Sequence, residues 1–403
     1  MDANDIDWLR SAEGLASTER AATLLAERSE LTAQRRLGDD HGRAHARALV
    51  ALIEGREAAS AKFADADSLF CDRESAEQAS SDVVATHTAS RFASIARVAD
   101  LGSGMGGDAL ALARHADVTA VDRDPSRLAM LGANADVRGV AGHVTAIESE
   151  IEGWSPGGVD AIWIDPARRD ARGRSFDPER WSPPLSLAIA LARSVPAAGI
   201  KLAPGIDPAD LPLDASDSEL EFISLDGRLV EGVLWLGALA TSPRRATILS
   251  SATPLGTATR VESLDGEPDT GATEIGEPGA FLYDPDPGIG RASLIDVLAA
   301  RIGGHKLSEL VAYLTADEQI ESPFVRRFRI YEWMAFSERA LVERLQALGA
   351  NRVDVMRRAS PVDTNALERR INAALGGGPA LLTVALTLVG EQRVALIVER
   401  ERD

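Results

Sequence analysis

Asp100-Leu-Gly-Ser-Gly-Met-Gly-Gly-Asp108 is the stretch whose reading decides the fold. It follows an apolar run, Val98-Ala99, and leads into Ala109-Leu-Ala-Leu-Ala-Arg114, so the sequence predicts a glycine loop between a strand and a helix. Gly102, Gly104 and Gly107 have the G-x-G-x-x-G spacing, and Asp122 closes the next strand-like run, Val118-Thr-Ala-Val121, about 20 residues on. In a parallel α/β sheet such a loop cradles a nucleotide-like ligand while the acid takes ribose hydroxyls. Two cofactor classes satisfy this spacing, nicotinamide dinucleotides and S-adenosylmethionine. A tight turn without a ligand satisfies the glycines alone.

From Arg97 to about Leu236, strand-like and helical runs alternate, the pattern of a doubly wound α/β sheet. The expected strands are Arg97–Leu101, Val118–Asp122, Val144–Glu148, Val159–Ile164, Gly199–Leu202, Leu220–Leu225 and Arg228–Leu236, with helices at Pro125–Asn134 and Leu185–Val195. Asp226-Gly227 alone separates the last two strands, a two-residue hairpin signal. A Rossmann-like, seven-stranded sheet ending in an antiparallel hairpin is therefore expected. Ile6 to about Phe70 carries apolar residues at three- and four-residue spacing with little Gly or Pro, and reads as an N-terminal helical region.

Gly, Pro, Thr and acidic residues dominate Ser242–Gly288, a composition that reads as a linker with one or two edge strands. Beyond it come helical stretches at Ser293–Arg301 and Leu307–Tyr313, then Phe324–Met334, a helical run Ser337–Ala347, and Arg352–Arg358. A helix at Asn365–Leu375 and two strands, Ala380–Val389 and Arg393–Val398, complete a small C-terminal α/β domain. The expected division is 1–85, helical; 86–245, cofactor-binding sheet; 246–290, linker; and 291–403, C-terminal domain.

At 403 residues and 45% hydrophobic content, the chain can bury more than one core. A net charge of −19 disfavours generic adhesion to nucleic acid or anionic membrane but leaves room for a local basic groove. The single cysteine, Cys71, excludes an internal disulfide and reads as an idle thiol. No apolar run approaches the roughly 18 residues of a membrane span, and Met-Asp-Ala-Asn-Asp opens the chain without a basic or apolar leader, so the cytoplasm is the expected compartment. His41 and His45 lie four apart on a predicted helix but lack a third ligand, and no metal is expected. Oligomeric state has no signal.

Asp100 separates the two cofactor classes. A dinucleotide pyrophosphate needs only backbone N–H groups at this position, whereas a carboxylate two residues before the first glycine suits a cationic ligand. The methionyl amino group of S-adenosylmethionine is such a cation, and Gly102, Ser103, Gly104 and Gly106 let the backbone come close to it. Asp122 would take the ribose hydroxyls with Arg123 beside it. Glu150, just past Val144–Glu148, would take the adenine amino group, with Ile151 presenting its backbone N–H.

These residues resemble the class I S-adenosylmethionine-dependent methyltransferases over roughly Phe70 to Leu236. Glu77-Gln78-Ala79, Arg91-Phe92, Asp165-Pro-Ala-Arg168, Ile200-Lys-Leu-Ala-Pro-Gly205 and the run from Tyr313-Leu-Thr315 onward are similar to a bacterial methyltransferase-like family with a C-terminal THUMP-like domain. The resemblance implies that S-adenosylmethionine is the cofactor and that RNA is the substrate, docked by the THUMP-like domain.

Asp160-Ala-Ile-Trp-Ile-Asp165-Pro-Ala-Arg-Arg169 reads as a buried strand delivering Asp165 and Pro166 to the carboxyl edge of the sheet. Methyltransferases of exocyclic base amines carry Asn/Asp-Pro-Pro-aromatic here, the oxygens accepting the amine hydrogens and the aromatic stacking on a flipped base. Asp165-Pro-Ala-Arg168 keeps the acceptor half and loses the aromatic. Arg168 is a candidate replacement, stacking on a base or holding a phosphate, with Trp163 or Trp181 assisting. Trp163, inside the strand, reads first as core.

Arg168, Arg169, Arg172 and Arg174 form the densest cationic loop, either a solvated turn or a phosphate contact. Lys201 either snorkels from the end of its strand or points into the cleft toward substrate. Ser322–Asp403 has thirteen Arg against ten acidic residues, a net of +3, so Met1–Glu321 carries −22. That partition is consistent with an RNA-docking module, with Arg326-Arg327-Phe-Arg329, Arg357-Arg358 and Arg369-Arg370 as candidate contacts. The function expected is N-methylation of a base in structured RNA, with Asp165, Pro166 and Arg168 as the catalytic set. The alternatives are a non-catalytic RNA- or protein-binding module that retains the cofactor pocket, and a small-molecule or protein methyltransferase. No acid/base pair for hydride transfer accompanies the loop.

Overall fold

Five strands, β1 (Arg97–Leu101), β2 (Asp117–Asp122), β3 (Val144–Glu148), β4 (Ala161–Ile164) and β5 (Ala197–Leu202), lie parallel in the order β3-β2-β1-β4-β5. The structure is a computed structural model and describes residues 1–170, 173–174, 177–211, 217–251 and 260–401. β1 and β4 are buried almost throughout, which is why they read as continuous apolar runs. Asp100 breaks that pattern one residue before the end of β1.

β6 (Ser218–Leu225) and β7 (Arg228–Gly237) are joined by Asp226 and Gly227, both at positive φ (50° and 77°), the backbone of a type I′ turn. β7 lies antiparallel to β5. The sheet does not stop at this hairpin. β8 (Arg244–Ser250) and β9 (Arg260–Gly266) extend it to nine strands, β9-β8-β6-β7-β5-β4-β1-β2-β3, where seven were expected. The buried Ala246, Thr247, Ile248 and Leu249 earn β8 its place despite the Gly- and Pro-rich surroundings.

The chain forms two compact units, one of Met1–Asp226, Val230–Thr241 and Leu249–Val261, the other of Gly227–Leu229, Ser242–Ile248 and Glu262–Asp403. In the first, helices α1 (Ala3–Arg10), α2 (Ala12–Glu27), α3 (Glu30–His41) and α4 (Arg43–Ala59) precede α5 (Arg73–Gln78) and α6 (Asp82–Ser90). Their core, including Ile6, Leu9, Leu37, Leu49 and Phe63, also takes in Met105 of the glycine loop and Met130 of α8 (Pro125–Val137), which follows α7 (Gly107–Leu112). Asn134 of α8, fully buried, ties the two together: its Oδ1 accepts from Phe70 N at 2.7 Å, and its Nδ2 donates to the carbonyls of Phe70 (3.0 Å) and Met105 (3.1 Å). The helical region therefore backs the glycine loop. Leu185–Ala192 forms α9, ending earlier than its apolar run.

In the second unit, β10 (Phe281–Pro285), β11 (His305–Lys306), β12 (Leu314–Ala316), β13 (Val325–Ala335), β14 (Ala350–Arg357), β15 (Ala380–Val389) and β16 (Gln392–Arg400) form a sheet in the order β11-β12-β10-β13-β16-β15-β14. β14 and β15 are parallel; the other pairs are antiparallel. β10 came from the segment read as linker and is an interior strand, with Phe281, Leu282 and Tyr283 buried. After α10 (Pro287–Arg291) and α11 (Ile295–Ile302), Leu307–Tyr313 is not the expected helix but a connection between β11 and β12. Its apolar residues at helical spacing, Leu307 and Val311, are buried from a turn instead. Helices α12 (Glu338–Ala347) and α13 (Thr364–Ala374) bury Leu341, Leu345, Leu367 and Ile371 against Val353, Leu382 and Val384.

Trp163, Gly199 and Trp235 are in register across β4, β5 and β7, and the two indoles close over the glycine. A Cβ at Gly199 would stand 2.7 Å from both rings. Gly199→Ala is expected to destabilise the protein by about 1–3 kcal/mol in chemical denaturation. Unchanged stability would show that the tryptophan layer is loosely packed.

Candidate active site

Asp100 leaves the central strand with its side chain 1% exposed, and neither carboxylate oxygen has a hydrogen-bond partner. Burial, with Asp108 and Asp165 beside it, holds this carboxyl well above its ordinary range, and Lys201 only partly opposes them. An unanswered carboxylate in this position fits a cationic ligand. The loop after it is built for close approach: Gly102, Gly104 and Gly106 have φ of 89°, 54° and 100°, and a Cβ on Gly102 would meet the Asp165 carbonyl at 2.6 Å. Ser103 Oγ, also buried, has no partner.

Asp122 ends β2 half-buried and clasps the loop, Oδ2 accepting from Gly104 N and Oδ1 from Asp124 N, both at 2.9 Å. Each oxygen keeps a further lone pair. Arg123 and Glu150 are exposed and 3.9 Å apart. Ile151 is buried, with Cδ1 3.8 Å from where a Gly102 Cβ would stand, so the Glu150–Ile151 corner adjoins the glycine loop.

Asp165 follows β4 and is held by Lys201 of β5, whose Nζ donates to Asp165 Oδ2 at 2.9 Å. The same ammonium donates to Ser80 Oγ at 2.7 Å and Asp108 Oδ2 at 3.4 Å, and lies 3.7 Å from Glu231 Oε2. Lys201 is therefore neither snorkelling nor a substrate contact, because its charge is buried among carboxylates. Burial lowers its pKa, but Asp108, Asp165 and Glu231 outweigh this and hold it well above the ordinary lysine value. Burial raises Asp165, with Lys201 opposing, and pushes Glu231 up to about 8.

Ser80, Asp108, Glu231 and Lys62 were not singled out from sequence. Lys62 Nζ donates to the carbonyls of Ala76 (3.0 Å), Glu77 (2.6 Å) and Ala79 (2.8 Å), fixing the segment that carries Ser80. Burial, then the charge of Lys201, pushes Lys62 down to about 8. One signal was available: of 43 basic residues only three are lysines, and two of those meet here.

Pro166 is buried and Arg168 half-buried, its charge acting on both Asp165 and Glu231. Arg169 pairs through its backbone with Arg174. The side chains of both, and Arg172 entirely, lie outside the described residues. Trp163 is fully buried against Phe92 and Trp235, and Trp181 is 3% exposed, so neither offers a stacking face.

In the second unit Arg327, expected as an RNA contact, is buried: its Nε donates to Glu401 Oε2 at 2.8 Å and its Nη1 to the Ile320 carbonyl at 3.2 Å. Arg326 and Arg358 share the buried Asp284, and Arg370 pairs with Glu338. No group of His, Cys, Asp and Glu able to hold a metal occurs among the described residues, and none of their helices is long and apolar enough to cross a membrane.

A parallel sheet presenting a glycine loop between the buried, unpartnered Asp100 and the strand-end Asp122 is the arrangement of a nucleoside-cofactor fold. Two Mycobacterium tuberculosis proteins, from strains CDC 1551 and H37Rv, both named uncharacterized S-adenosylmethionine-dependent methyltransferases, are each 34% identical over 327 residues, 80% of this chain and 85% of theirs. The chain belongs to this family of S-adenosylmethionine-dependent methyltransferases. Residues 325–400 match the THUMP domain-like family. A crystal structure from Porphyromonas gingivalis W83, named only provisionally as a methyltransferase, shares the fold at a TM-score of 0.75 and 21% identity, over 97% of this chain and 99% of that one.

An ammonium bound at the raised Asp100 would make ligand binding proton-linked. Free Asp100 keeps its proton at pH values where an ordinary carboxyl has lost it, and an ammonium bound beside it would favour the ionised form, so such binding would expel a proton and tighten as pH rises until Asp100 ionises unaided. Calorimetry with S-adenosylhomocysteine across a pH series, in buffers of different ionisation enthalpy, should record proton release on the acid side. Asp100→Asn should abolish that release and weaken binding at least about tenfold; proton uptake, or binding indifferent to pH, contradicts the assignment.

Proposed function

We propose that the enzyme methylates a nitrogen of a base in structured RNA, with Asp165 as the acceptor of the target amine hydrogens. The observation that carries this reading is Asp165 at the carboxyl end of β4, beside the glycine loop, with Oδ2 fixed by Lys201. When bound, S-adenosylmethionine supplies an electrophilic methyl group. Asp100 holds its methionyl amino group, Gly102, Ser103, Gly104 and Gly106 surround that moiety, Asp122 with Arg123 takes the ribose, and Glu150 with the Ile151 backbone takes adenine. Asp165 and the backbone at Pro166 would orient the amine with its lone pair free for methylation, and the proton the nitrogen loses would pass by way of Asp165 to solvent.

On this reading 86–245 is the catalytic region, seven of whose strands form the methyltransferase sheet, and the THUMP-like 291–403 docks RNA by shape and backbone. Arg168 and Arg169 contact phosphate near the target. Arg326, 60% exposed, keeps a role at the RNA surface; Arg327 does not, being committed to Glu401.

The burial of Trp163 and Trp181 favours a second reading, a protein or small-molecule amine as acceptor, since neither indole offers a face for a flipped base. Methyl-tritiated cofactor incubated with the enzyme and total cellular RNA separates the two. Label that enters RNA, is released by RNase and falls about a hundredfold or more in Asp165→Ala supports the first reading. Counts that survive RNase support the second, and no transfer to any macromolecular or small-molecule fraction contradicts both.

A further inference from the structure

Lysine is scarce in this chain, and Lys201 sits inside a strand. β5 is buried along its whole length, and Lys201 is 7% exposed between Ile200 and Leu202. A charge in that setting carries a desolvation cost that an apolar side chain of similar volume would not. The register explains what the charge meets. Ile164 of β4 pairs with Ile200, so one step further along the parallel strands Asp165 and Lys201 stand side by side, and Nζ donates to Asp165 Oδ2 at 2.9 Å. Ser80 Oγ at 2.7 Å and Asp108 Oδ2 at 3.4 Å accept from the same ammonium and fix it in place. The Asp165 side chain is 26% exposed, and no described residue donates a hydrogen bond to its Oδ1. One oxygen is thus held and the other is open.

We propose that Lys201 is a positioning residue for the transfer: by holding Oδ2 it keeps Asp165 ionised, with Oδ1 free to accept the hydrogens of the target amine. The inference rests on the reading of Asp165 as that acceptor. The groups around Asp165 divide by sign. Burial favours its protonated form, as does Asp108 of α7, and Asp100 of β1 and Glu231 of β7 add to this where they are ionised; Lys201 opposes them, and Arg168 on the segment after β4 acts in the same sense as Lys201. Lys62 bears on Lys201 as a like charge but is engaged by three carbonyls. While Oδ2 accepts from the ammonium, a proton arriving at Asp165 has to settle on Oδ1, and that turns the acceptor into a donor. Lys201 disfavours this state. An apolar residue in its place leaves burial and the neighbouring carboxylates opposed by Arg168 alone, so Asp165 would keep its proton to higher pH.

Two readouts of the full chain test this in the wild type, Lys201→Met and Lys201→Arg. One is the rate of methyl transfer from tritiated cofactor against pH, with total cellular RNA or whichever fraction the wild type labels as acceptor. The other is the carboxyl carbon resonance of Asp165 in isotope-labelled protein, assigned by its loss in Asp165→Asn, which follows the same titration without turnover. Lys201→Met should move the acid limb of the rate and the Asp165 midpoint up by about one pH unit or more, so that transfer falls about tenfold or more on the acid side and recovers as pH rises. Lys201→Arg, which keeps the charge, should leave both near their wild-type positions. A loss in Lys201→Met that is uniform across pH, with the Asp165 midpoint unmoved, overturns the proposal, as does an arginine variant that shifts as far as the methionine one. If Lys201→Met does not fold, the wild type decides: Asp165 ionised at about pH 7.5 supports the proposal, and Asp165 protonated there overturns it. Transfer undiminished in Asp165→Ala would refute the acceptor reading, while the resonance midpoints still judge the hold of Lys201 on Asp165.

Discussion

A carboxylate buried on the central strand of a sheet has to be answered by positive charge or keep its proton. Asp100 imposes that constraint here, and the rest of the site is arranged around it. The glycines after it keep the loop free of side chains, Asp122 closes the loop from the neighbouring strand, and Asn134 ties the loop to the helical N-terminal region behind it. A nicotinamide dinucleotide presents phosphate at this position, which would meet Asp100 as a like charge.

Lys201 is the second organising group. Ser80, Asp108, Asp165 and Glu231 reach it from separate parts of the chain, so one ammonium links the segment ahead of the fold's first strand, the glycine loop, the Asp-Pro corner and the hairpin. Removing it would leave several carboxylates buried without a partner, a far larger penalty than the loss of any exposed ion pair. Asp165 and Asp108, at the end of the glycine loop, are consequently parts of one electrostatic unit.

The parallel strands, the loop and the Asp226-Gly227 turn were legible because each is written in local chemistry: apolar runs, glycines and a two-residue turn. β8 and β10 were not, because buried residues such as Ile248 and Leu282 stand among Gly, Pro and acidic neighbours that carry the signature of a linker. The places of Asp100, Asp122 and Asp165 at strand ends could be read from the sequence. The fate of Lys201 could not, since its partners Ser80 and Asp108 are 121 and 93 residues away. The same holds for Arg327, which reads as a surface cation until Glu401, 74 residues on, is seen to bury and neutralise it. Charge counts along a sequence report how many cations exist and say nothing about which are already paired.

The account stands on Asp100 as the partner of the methionyl amino group. A crystal structure of the full chain with S-adenosylhomocysteine measures that contact without recourse to substrate or turnover. The amino nitrogen is expected within about 3 Å of an Asp100 oxygen, the distance of a charge-assisted hydrogen bond. A bound ligand whose amino group lies elsewhere, with both Asp100 oxygens still unpartnered, would contradict the account.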